Sequence, residues 1–231
     1  MSSPDLDLPV PATQRNLVRA LIDRALPNCS PDTRCALVET AQLRRVRVGE
    51  NVYRQGEPVP LTLVVEGYGI AQRTNADGRQ LLSGVAPFGS LFGWSGVADA
   101  SSSVEIVALT ECLVAQWPGS EIRERIRADV ELGLAAIDSM AASLHATMEG
   151  IEGFLHQDAR RRVLRILARH RQLFFGDPPV LSRAHLAGLV GTTQEMTRRV
   201  LRQLEREGTV VREGQTGLRL LRPDRLKLPA A

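Results

Sequence analysis

Residues 181–208 read LSRAHLAGLVGTTQEMTRRVLRQLEREG, and the fold of the C-terminal part of the chain can be predicted from this stretch. Ser182 can cap a helix, and Gly191 stands where a left-handed residue would end it. Thr192 and Glu195 have the spacing of a capping box, which would open a second helix. Two helices joined by a tight glycine turn predict a helix-turn-helix.

The second helix, predicted to end at Gly208, has two different faces. Its apolar face, predicted to be buried, consists of Met196, Val200, Leu201 and Leu204. Its polar face presents Gln194, Glu195, Arg198, Arg199 and Arg202. Arg199 can donate two hydrogen bonds to guanine, Glu195 can accept one from cytosine, and Gln194 can bind adenine or a phosphate. The alternative is that Glu195 and Arg199 form only a surface ion pair. Phosphate contacts are predicted for Ser182, Arg183 and Thr193.

The segments on either side of this pattern complete a winged module. Downstream, residues 210–211, a turn at 213–214 and residues 218–221 predict a β-hairpin. Upstream, Asp158 is a candidate N-cap for a helix over residues 159–175. The sequence therefore predicts a winged helix-turn-helix that binds double-stranded DNA.

The distribution of charge supports a polyanionic partner for this module. Residues 160–231 contain 16 Arg and Lys against 6 Asp and Glu, whereas residues 1–159 contain 13 against 20. A GC-rich coding sequence would explain the preference for Arg over Lys, but not the excess of cations at one end. This uneven distribution of charge along the chain indicates one unit that binds nucleic acid and one that does not.

Composition restricts the class of protein. The 231 residues are 43% hydrophobic and 24% charged, as in soluble globular proteins. No apolar run reaches the length of a membrane span, and the acidic start does not resemble a signal peptide. Three cysteines fit a reducing compartment, so we expect a cytoplasmic protein without a membrane partner. No catalytic triad, phosphate loop or metal-ligand cluster indicates an enzyme.

The segment over residues 119–157 has the pattern of a long helix. Apolar residues recur every seven positions in two rows, at Ile137, Leu144 and Ile151 and at Ala141, Met148 and Leu155. Such a helix would be roughly 45–55 Å long, which is more than a small barrel can cover. We therefore predict that it pairs with a second copy, the alternative being that it packs on its own barrel. The predicted dimer contacts are Ile137, Leu144, Met148, Ile151 and Leu155.

Residues 42–117 have the pattern of an antiparallel sandwich or barrel. Short β-branched or aliphatic runs alternate with glycine turns, and no long helical period occurs. Asp77 and Gly78 predict a hairpin turn between two strands. A short helix over residues 15–26 is predicted to precede the strands.

From about Leu43 to Leu226 the chain resembles the Crp/Fnr family (catabolite activator and fumarate-nitrate reductase regulators). The matching motifs are GENVYRQGE at 49–57, LVVEG at 63–67, GSLFG at 89–93 and the helix-turn-helix at 181–208. The resemblance implies an α+β fold with a cyclic-nucleotide-binding-type antiparallel β-roll, a long dimerisation helix and a C-terminal winged helix-turn-helix. The domains would be a sensor domain at 1–118, with the N-terminal helix, the dimerisation helix at 119–157 and the DNA-binding domain at 158–231.

The resemblance also implies a homodimeric transcription regulator that reads an inverted repeat and works with RNA polymerase. Glu195 and Arg199 coincide with the family's base-reading residues, whereas Gln194 and Arg198 depart from its common pattern. A half-site of the TGTGA or the TTGAT type is implied.

The sensor domain departs from the cyclic-AMP-binding members of the family. Trp94 stands where those members have the ribose-binding Glu, and Ser102 stands about where they have the phosphate-binding Arg. No Lys or Arg occurs between Gln80 and Ile122, and a buried phosphate without a cation is costly. We therefore expect that cyclic AMP does not bind. The candidate residues of an effector pocket are Trp94, Ser95, Ser101, Ser102, Ser103, Leu144 and Met148.

Other sensing chemistries remain as alternatives, and the sequence assigns no cofactor. Family clusters of iron and sulfur normally need four thiolates, whereas this chain offers Cys29, Cys35 and a distant Cys112. A thiol switch between Cys29 and Cys35 is a further possibility, and so is haem ligation by His145 or His156. The alternative function is thus a redox-, haem- or gas-responsive sensor of the same family.

Overall fold

Two antiparallel four-stranded sheets form the N-terminal part of the computed structural model, which describes residues 12–75, 80–214 and 216–226. The strands are β1 (Gln42–Val46), β2 (Asn51–Tyr53), β3 (Leu61–Glu66), β4 (Tyr68–Thr74), β5 (Gln80–Pro87), β6 (Leu91–Phe92), β7 (Glu105–Ala108) and β8 (Cys112–Trp117). Their orders are β1-β8-β3-β6 and β2-β7-β4-β5. The predicted antiparallel arrangement is therefore confirmed. β4 and β5 pair from Tyr68↔Pro87 to Thr74↔Gln80; the predicted turn residues Asp77 and Gly78 lie outside the described residues.

The first sheet separates two apolar cores because side chains alternate between its faces. The inner core lies between the sheets and includes Val46 and Val114. The outer core includes Leu63 and Trp117 and is covered by helices. Two of these helices, α1 (Ala12–Ala25) and α2 (Pro31–Thr40), precede the strands. The predicted helix over residues 15–26 corresponds to α1.

The segment predicted as one long helix is two helices, α3 (Gly119–Ala128) and α4 (Val130–His156). The break is at Asp129, whose backbone is extended at φ −135° and ψ 101°. Its carboxylate accepts hydrogen bonds from the backbone N of Glu131 at 3.1 Å and of Ser30 at 2.9 Å. The continuous apolar period concealed this cap, which starts α4 and anchors it to the loop before α2.

The C-terminal module consists of α5 (Ala159–Arg169), α6 (Arg171–Phe175), α7 (Arg183–Val190), α8 (Gln194–Arg206) and the hairpin β9 (Val210–Glu213) and β10 (Gly217–Leu220). Asp158 caps α5, as predicted, by accepting from the backbone N of Arg161 at 2.7 Å. The helix predicted over residues 159–175 is interrupted at His170, whose φ and ψ of −109° and 33° are not helical. Among the described residues, no helix is sufficiently long and apolar to span a membrane.

Candidate nucleic-acid interface

α7 and α8 meet at a tight turn, as the sequence predicts. Ser182 occupies the N-cap position of α7, and its backbone N donates to Nδ1 of His185 at 3.0 Å. Gly191 follows α7 with a φ of 66°, a conformation that glycine adopts without a steric penalty. The wing hairpin pairs from Gly217↔Glu213 to Leu220↔Val210.

The predicted capping box at Thr192 and Glu195 is wrong, because the cap of α8 is Thr193. Oγ1 of Thr193 accepts from the backbone N of Met196 at 3.1 Å. Glu195 therefore lies one position too early to close a capping box. Its carboxylate projects from the first turn of the helix and is exposed.

The predicted buried face of α8 is right for Val200, Leu201 and Leu204 and wrong for Met196. Met196 is 38% exposed, whereas Thr197 is only 2% exposed. Residues 197, 200, 201 and 204 lie on one side of a helix with 3.6 residues per turn. Thr197 tolerates burial because its hydroxyl donates to the backbone O of Thr193 at 3.1 Å.

The polar face of α8 is accessible over the first two turns. Gln194, Glu195, Arg198, Arg199 and Arg202 are all exposed, as predicted. Glu195 and Arg199, both described, form no ion pair with each other. At about 100° per residue, Glu195, Arg199 and Arg202 lie at the centre of the face. Gln194 and Arg198 lie on its flank.

This flank borders a cleft of about 250 Å³ between α7, α8 and the wing. The cleft brings Arg183, Gln194 and Arg198 together with Arg212 of β9. Arg212 was not among the predicted contact residues, although its place in the wing strand is a signal for one. Arg183 donates through its backbone N to the backbone O of Thr216 at 3.1 Å, which joins α7 to the wing.

One carboxylate offsets part of the positive charge of this cleft. Nε of Arg212 donates to Oε1 of Glu205 at 2.9 Å. Burial raises the pKa of Glu205, but the hydrogen bonds and the charge of Arg212, together with the charge of Arg183, hold this pKa below its usual range. Glu205 is therefore ionised and orients the Arg212 guanidinium.

The predicted dimer contacts form an exposed apolar stripe on α4. The exposed fractions are 58% for Ile137, 64% for Leu144, 57% for Met148, 48% for Ile151 and 68% for Leu155. Val130 and Leu134 extend the stripe toward the start of the helix, with exposures of 70% and 46%. In the described part of a single chain nothing covers this stripe.

The candidate effector residues are dispersed in the structure. Trp94 begins a 3-10 helix, Trp94–Ala98, and packs in the outer core near Leu132 and Ala136 of α4. Leu144 lies about 12 Å further along α4 than Ala136, and Met148 lies beyond it.

The four serines predicted to line an effector pocket differ in their exposure to solvent. Ser95, Ser101 and Ser103 are exposed, whereas Ser102 is buried. Oγ of Ser102 accepts from the backbone N of Val104 at 3.3 Å, and its backbone O accepts from Gly56 at 2.8 Å. Ser102 therefore stabilises its own loop.

One cation near this loop, Arg123, was not among the predicted effector residues; it directly follows the stretch without Lys or Arg. Arg123 of α3 folds back onto the 3-10 helix, and its Nε donates to the backbone O of Val97 at 2.7 Å. It also pairs with the carboxylate of Asp99 at 3.0 Å. Its charge is thus already partnered within the loop.

The cysteines and histidines lie in separate environments. Cys29 is in the outer core and Cys112 in the inner core, on opposite sides of the first sheet. Burial, followed by the nearby Asp129 carboxylate, raises the pKa of the Cys29 thiol to about 11. On α4, His145 is exposed and lies 3.4 Å from Glu149, and His156 is exposed.

Comparisons with known proteins agree with this architecture. A cyclic nucleotide-binding domain model matches residues 43–129, and a Crp-like helix-turn-helix domain model matches residues 158–228. A curated relative, the cAMP-activated global transcriptional regulator Vfr of Pseudomonas aeruginosa, is 28% identical over 154 residues, which cover 61% of this chain and 71% of that protein.

Two solved structures share the fold. FixK2 from Bradyrhizobium japonicum superposes with a TM-score of 0.71 and 22% identity, over 83% of this chain and 100% of that chain. The c-di-GMP responsive global regulator CLP of Xanthomonas campestris gives a TM-score of 0.69 and 22% identity, over 83% and 99%. The predicted α+β fold is confirmed, and the related proteins are transcription regulators rather than enzymes. With a sensor domain of the cyclic nucleotide-binding type followed by a Crp-like helix-turn-helix, the chain belongs to the Crp/Fnr family of DNA-binding transcription regulators.

Proposed function

We propose that two copies of the chain pair along α4 and place their α8 helices in successive major grooves of an inverted repeat. The observation that carries this proposal is the exposed face of α8, on which Glu195 and Arg199 are not paired with each other. Two such helices related by a two-fold axis would read half-sites about 34 Å apart. We propose domain boundaries that give a sensor at 1–118, a dimerisation segment at 119–157, which comprises α3 and α4, and a DNA-binding domain at 158–231. We expect the regulator to act on RNA polymerase in the cytoplasm.

The contacts divide into base reading and positioning. Glu195 and Arg199, at the centre of the α8 face, would read base edges, because a guanidinium can donate two hydrogen bonds to guanine. Arg183, Arg198 and Arg212, around the cleft beside α8, would hold a phosphate, with Ser182 and Thr193 at adjacent helix starts. Gln194 lies between the two groups and can serve either.

Two measurements test this assignment. The wild-type chain is used to select binding sequences from a random DNA library, and its preference for the selected sequence is then compared with that of Arg199→Ala. We expect the wild-type chain to enrich an inverted repeat, and Arg199→Ala to lose the preference for it over a scrambled duplex while remaining dimeric. Arg206→Ala removes the same charge two helical turns later, where it should lower the affinity for both duplexes equally. An Arg199→Ala protein that keeps the wild-type preference would contradict the assignment.

We propose that the sensor domain does not use cyclic AMP, although its domain type and the name of the Pseudomonas relative are associated with it. Trp94 occupies core space, Ser102 is bonded within its loop, and Arg123 is partnered by Asp99. A cyclic phosphate bound at Arg123 would therefore have to displace its ion pair with Asp99.

Iron–sulfur and haem chemistry are less well supported as alternatives. Cys29 and Cys112 face different cores of the domain, so a shared cluster would require rearrangement of the first sheet. An ultraviolet–visible spectrum and a metal assay of anaerobically purified protein decide this question. A cluster or haem absorbance with stoichiometric iron would favour the redox- or gas-responsive alternative.

A further inference from the structure

The wing is bonded to both helices of the helix-turn-helix. Gly208, with a φ of 67°, turns the chain after α8, and the backbone N of Thr209 donates to the backbone O of Leu204 at 2.9 Å. Strand β9 therefore begins directly beside the last turn of α8. In the turn of the wing, the backbone O of Thr216 accepts from the backbone N of Arg183 at 3.1 Å. These bonds hold the wing beside α7 and α8, around the cleft of about 250 Å³.

Glu205 of α8 makes a further contact with the wing, and this contact is made with one residue, Arg212. Oε1 of Glu205 accepts from the backbone N of Arg212 at 2.9 Å and from its Nε, also at 2.9 Å. The Glu205 side chain is 19% exposed, whereas the Arg212 side chain is 51% exposed. One oxygen of a largely buried carboxylate therefore holds both the backbone and the guanidinium of Arg212.

The bond through Nε occupies only one edge of the Arg212 guanidinium. A guanidinium has five N–H donors in one plane, and Nε supplies one of them. Within the described part of the chain, no group accepts a hydrogen bond from Nη1 or Nη2 of Arg212. Two terminal nitrogens of an arginine can bind a phosphate together. Arg212 is thus held at its Nε and keeps its terminal nitrogens for a ligand.

Glu205 lies on the same side of α8 as Arg198. Seven residues separate the two, which at about 100° per residue is within about 20° of two full turns. Gln194 and Leu201 lie on this side as well, and they line the cleft together with Arg198. Because Arg212 lines the same cleft, the guanidinium that Glu205 holds contributes to the same site as Arg198.

We infer that Glu205 is a positioning residue for DNA binding, which holds the Arg212 guanidinium toward the phosphate bound in the cleft. This inference rests on the proposed function, in which Arg183, Arg198 and Arg212 hold that phosphate. The oxygen of Glu205 and its negative charge act in opposite directions. The oxygen fixes the Arg212 side chain before DNA binds, which reduces the entropy lost on binding, whereas the charge repels a phosphate.

The test therefore separates the acceptor from the charge at residue 205 of the full chain. Glu205→Gln removes the charge and keeps an oxygen acceptor. Glu205→Met removes both, at nearly the same length and with a similar helix propensity. The comparison of these two variants measures positioning at constant charge, and Glu205→Ala repeats the loss of the acceptor with a shorter side chain. Fluorescence anisotropy measures the affinity for the selected inverted repeat over a range of salt concentrations.

We expect Glu205→Met to bind the inverted repeat roughly five- to tenfold more weakly than Glu205→Gln. One phosphate contact contributes about 0.9 to the slope of log affinity against log salt concentration, which is roughly eightfold for each tenfold change in salt. The slope should therefore be shallower for Glu205→Met than for Glu205→Gln, by up to about 0.9. In an Arg212→Ala background the two variants should bind alike, because no guanidinium is left to position. A purely structural role through the backbone N of Arg212 would instead leave their difference in place.

Glu207 provides the matched control, because it makes the same kind of bond at the end of the same helix. Its Oε2 accepts from Nη2 of Arg160 in α5 at 2.7 Å, and neither residue lines the cleft beside the wing. Glu207→Met should therefore melt at a lower temperature than Glu207→Gln, while the two have the same salt slope.

Glu205→Met and Glu205→Gln proteins that both melt cooperatively and share one affinity and one salt slope would overturn the positioning role. A difference between them that persists after Arg212→Ala would overturn it as well. Because a phosphate contact does not depend on base sequence, the comparison is repeated on a random duplex. A wild-type chain that selects no operator would contradict the proposed function, whereas the random duplex would still decide the role of Glu205.

Discussion

Leu144→Ala probes the apolar stripe of α4 at a residue whose side chain is 64% exposed in the single chain. The change deletes Cγ and both Cδ carbons, which are worth about 2.4 kcal/mol when fully buried, at ~0.8 kcal/mol per carbon. Scaled by the exposed fraction, the loss is about 1.5 kcal/mol per copy, or about 3 kcal/mol for a symmetric dimer. The dimer dissociation constant should therefore rise roughly a hundredfold.

Sedimentation equilibrium over a range of concentrations measures this constant. Alanine is the best helix former, so the substitution does not weaken α4 itself. Ser143→Ala, at the neighbouring exposed residue outside the stripe, is the matched control and should leave the constant unchanged. A Leu144→Ala protein that dimerises within twofold of wild type would refute the assignment of the stripe as the dimer contact.

Three further predictions concern the sensor domain and the start of α4. Isothermal titration of the full chain with cyclic AMP should show no saturable binding at micromolar concentrations; tight binding would overturn the argument from Trp94 and Arg123. Hydrogen bonds from Thr33 and the Ser30 backbone lower the pKa of Asp129 to about 2 from 3.8. The ionised carboxylate therefore contributes about 2 kcal/mol to the free energy of unfolding above pH 4. This contribution is lost as the pH falls toward 2. Asp129→Asn should therefore unfold at a lower urea concentration than wild type at pH 7, and this difference should disappear near pH 2. In native protein at pH 8, alkylation should modify the partly accessible Cys35 before the buried Cys29, and equal rates would contradict the burial of Cys29.

Much of the DNA-binding module could be predicted because its signals are local. Glycine at the turn, the polar side of α8 and the wing hairpin each depend on residues close together in sequence. The errors also have local causes. Either Thr192 or Thr193 could begin α8, and only the hydrogen bond to Met196 selects Thr193. Thr197 was not predicted on the buried face, which it joins because its hydroxyl donates to the backbone O of Thr193 in the preceding turn.

Features that depend on distant residues could not be predicted in this way. The break before α4 requires the loop at Ser30, about a hundred residues earlier, to donate to Asp129. The place of Arg123 beside the loop could not be predicted because its partners, Val97 and Asp99, lie in a different element. The sequence around Gly188 gives no reason for a glycine at this helix position. The reason is the Leu82 side chain of β5, which a Cβ at residue 188 would approach to 2.6 Å.

The two apolar surfaces of the chain are related through the end of α4. The second sheet is covered by α7, whereas the α4 stripe is uncovered in the described part of a single chain. Exposed apolar surface costs about 25 cal/mol per Å², so the stripe favours a second copy. Leu155 ends the stripe, and the adjacent Phe154 lies against Gly191. Pairing that fixes the last turn of α4 therefore also fixes Phe154, and dimerisation and the packing of α7 on the second sheet become linked equilibria. A variant that weakens pairing, such as Leu144→Ala, should then also change the rate of hydrogen exchange in α7. If the two equilibria were independent, this rate would stay the same.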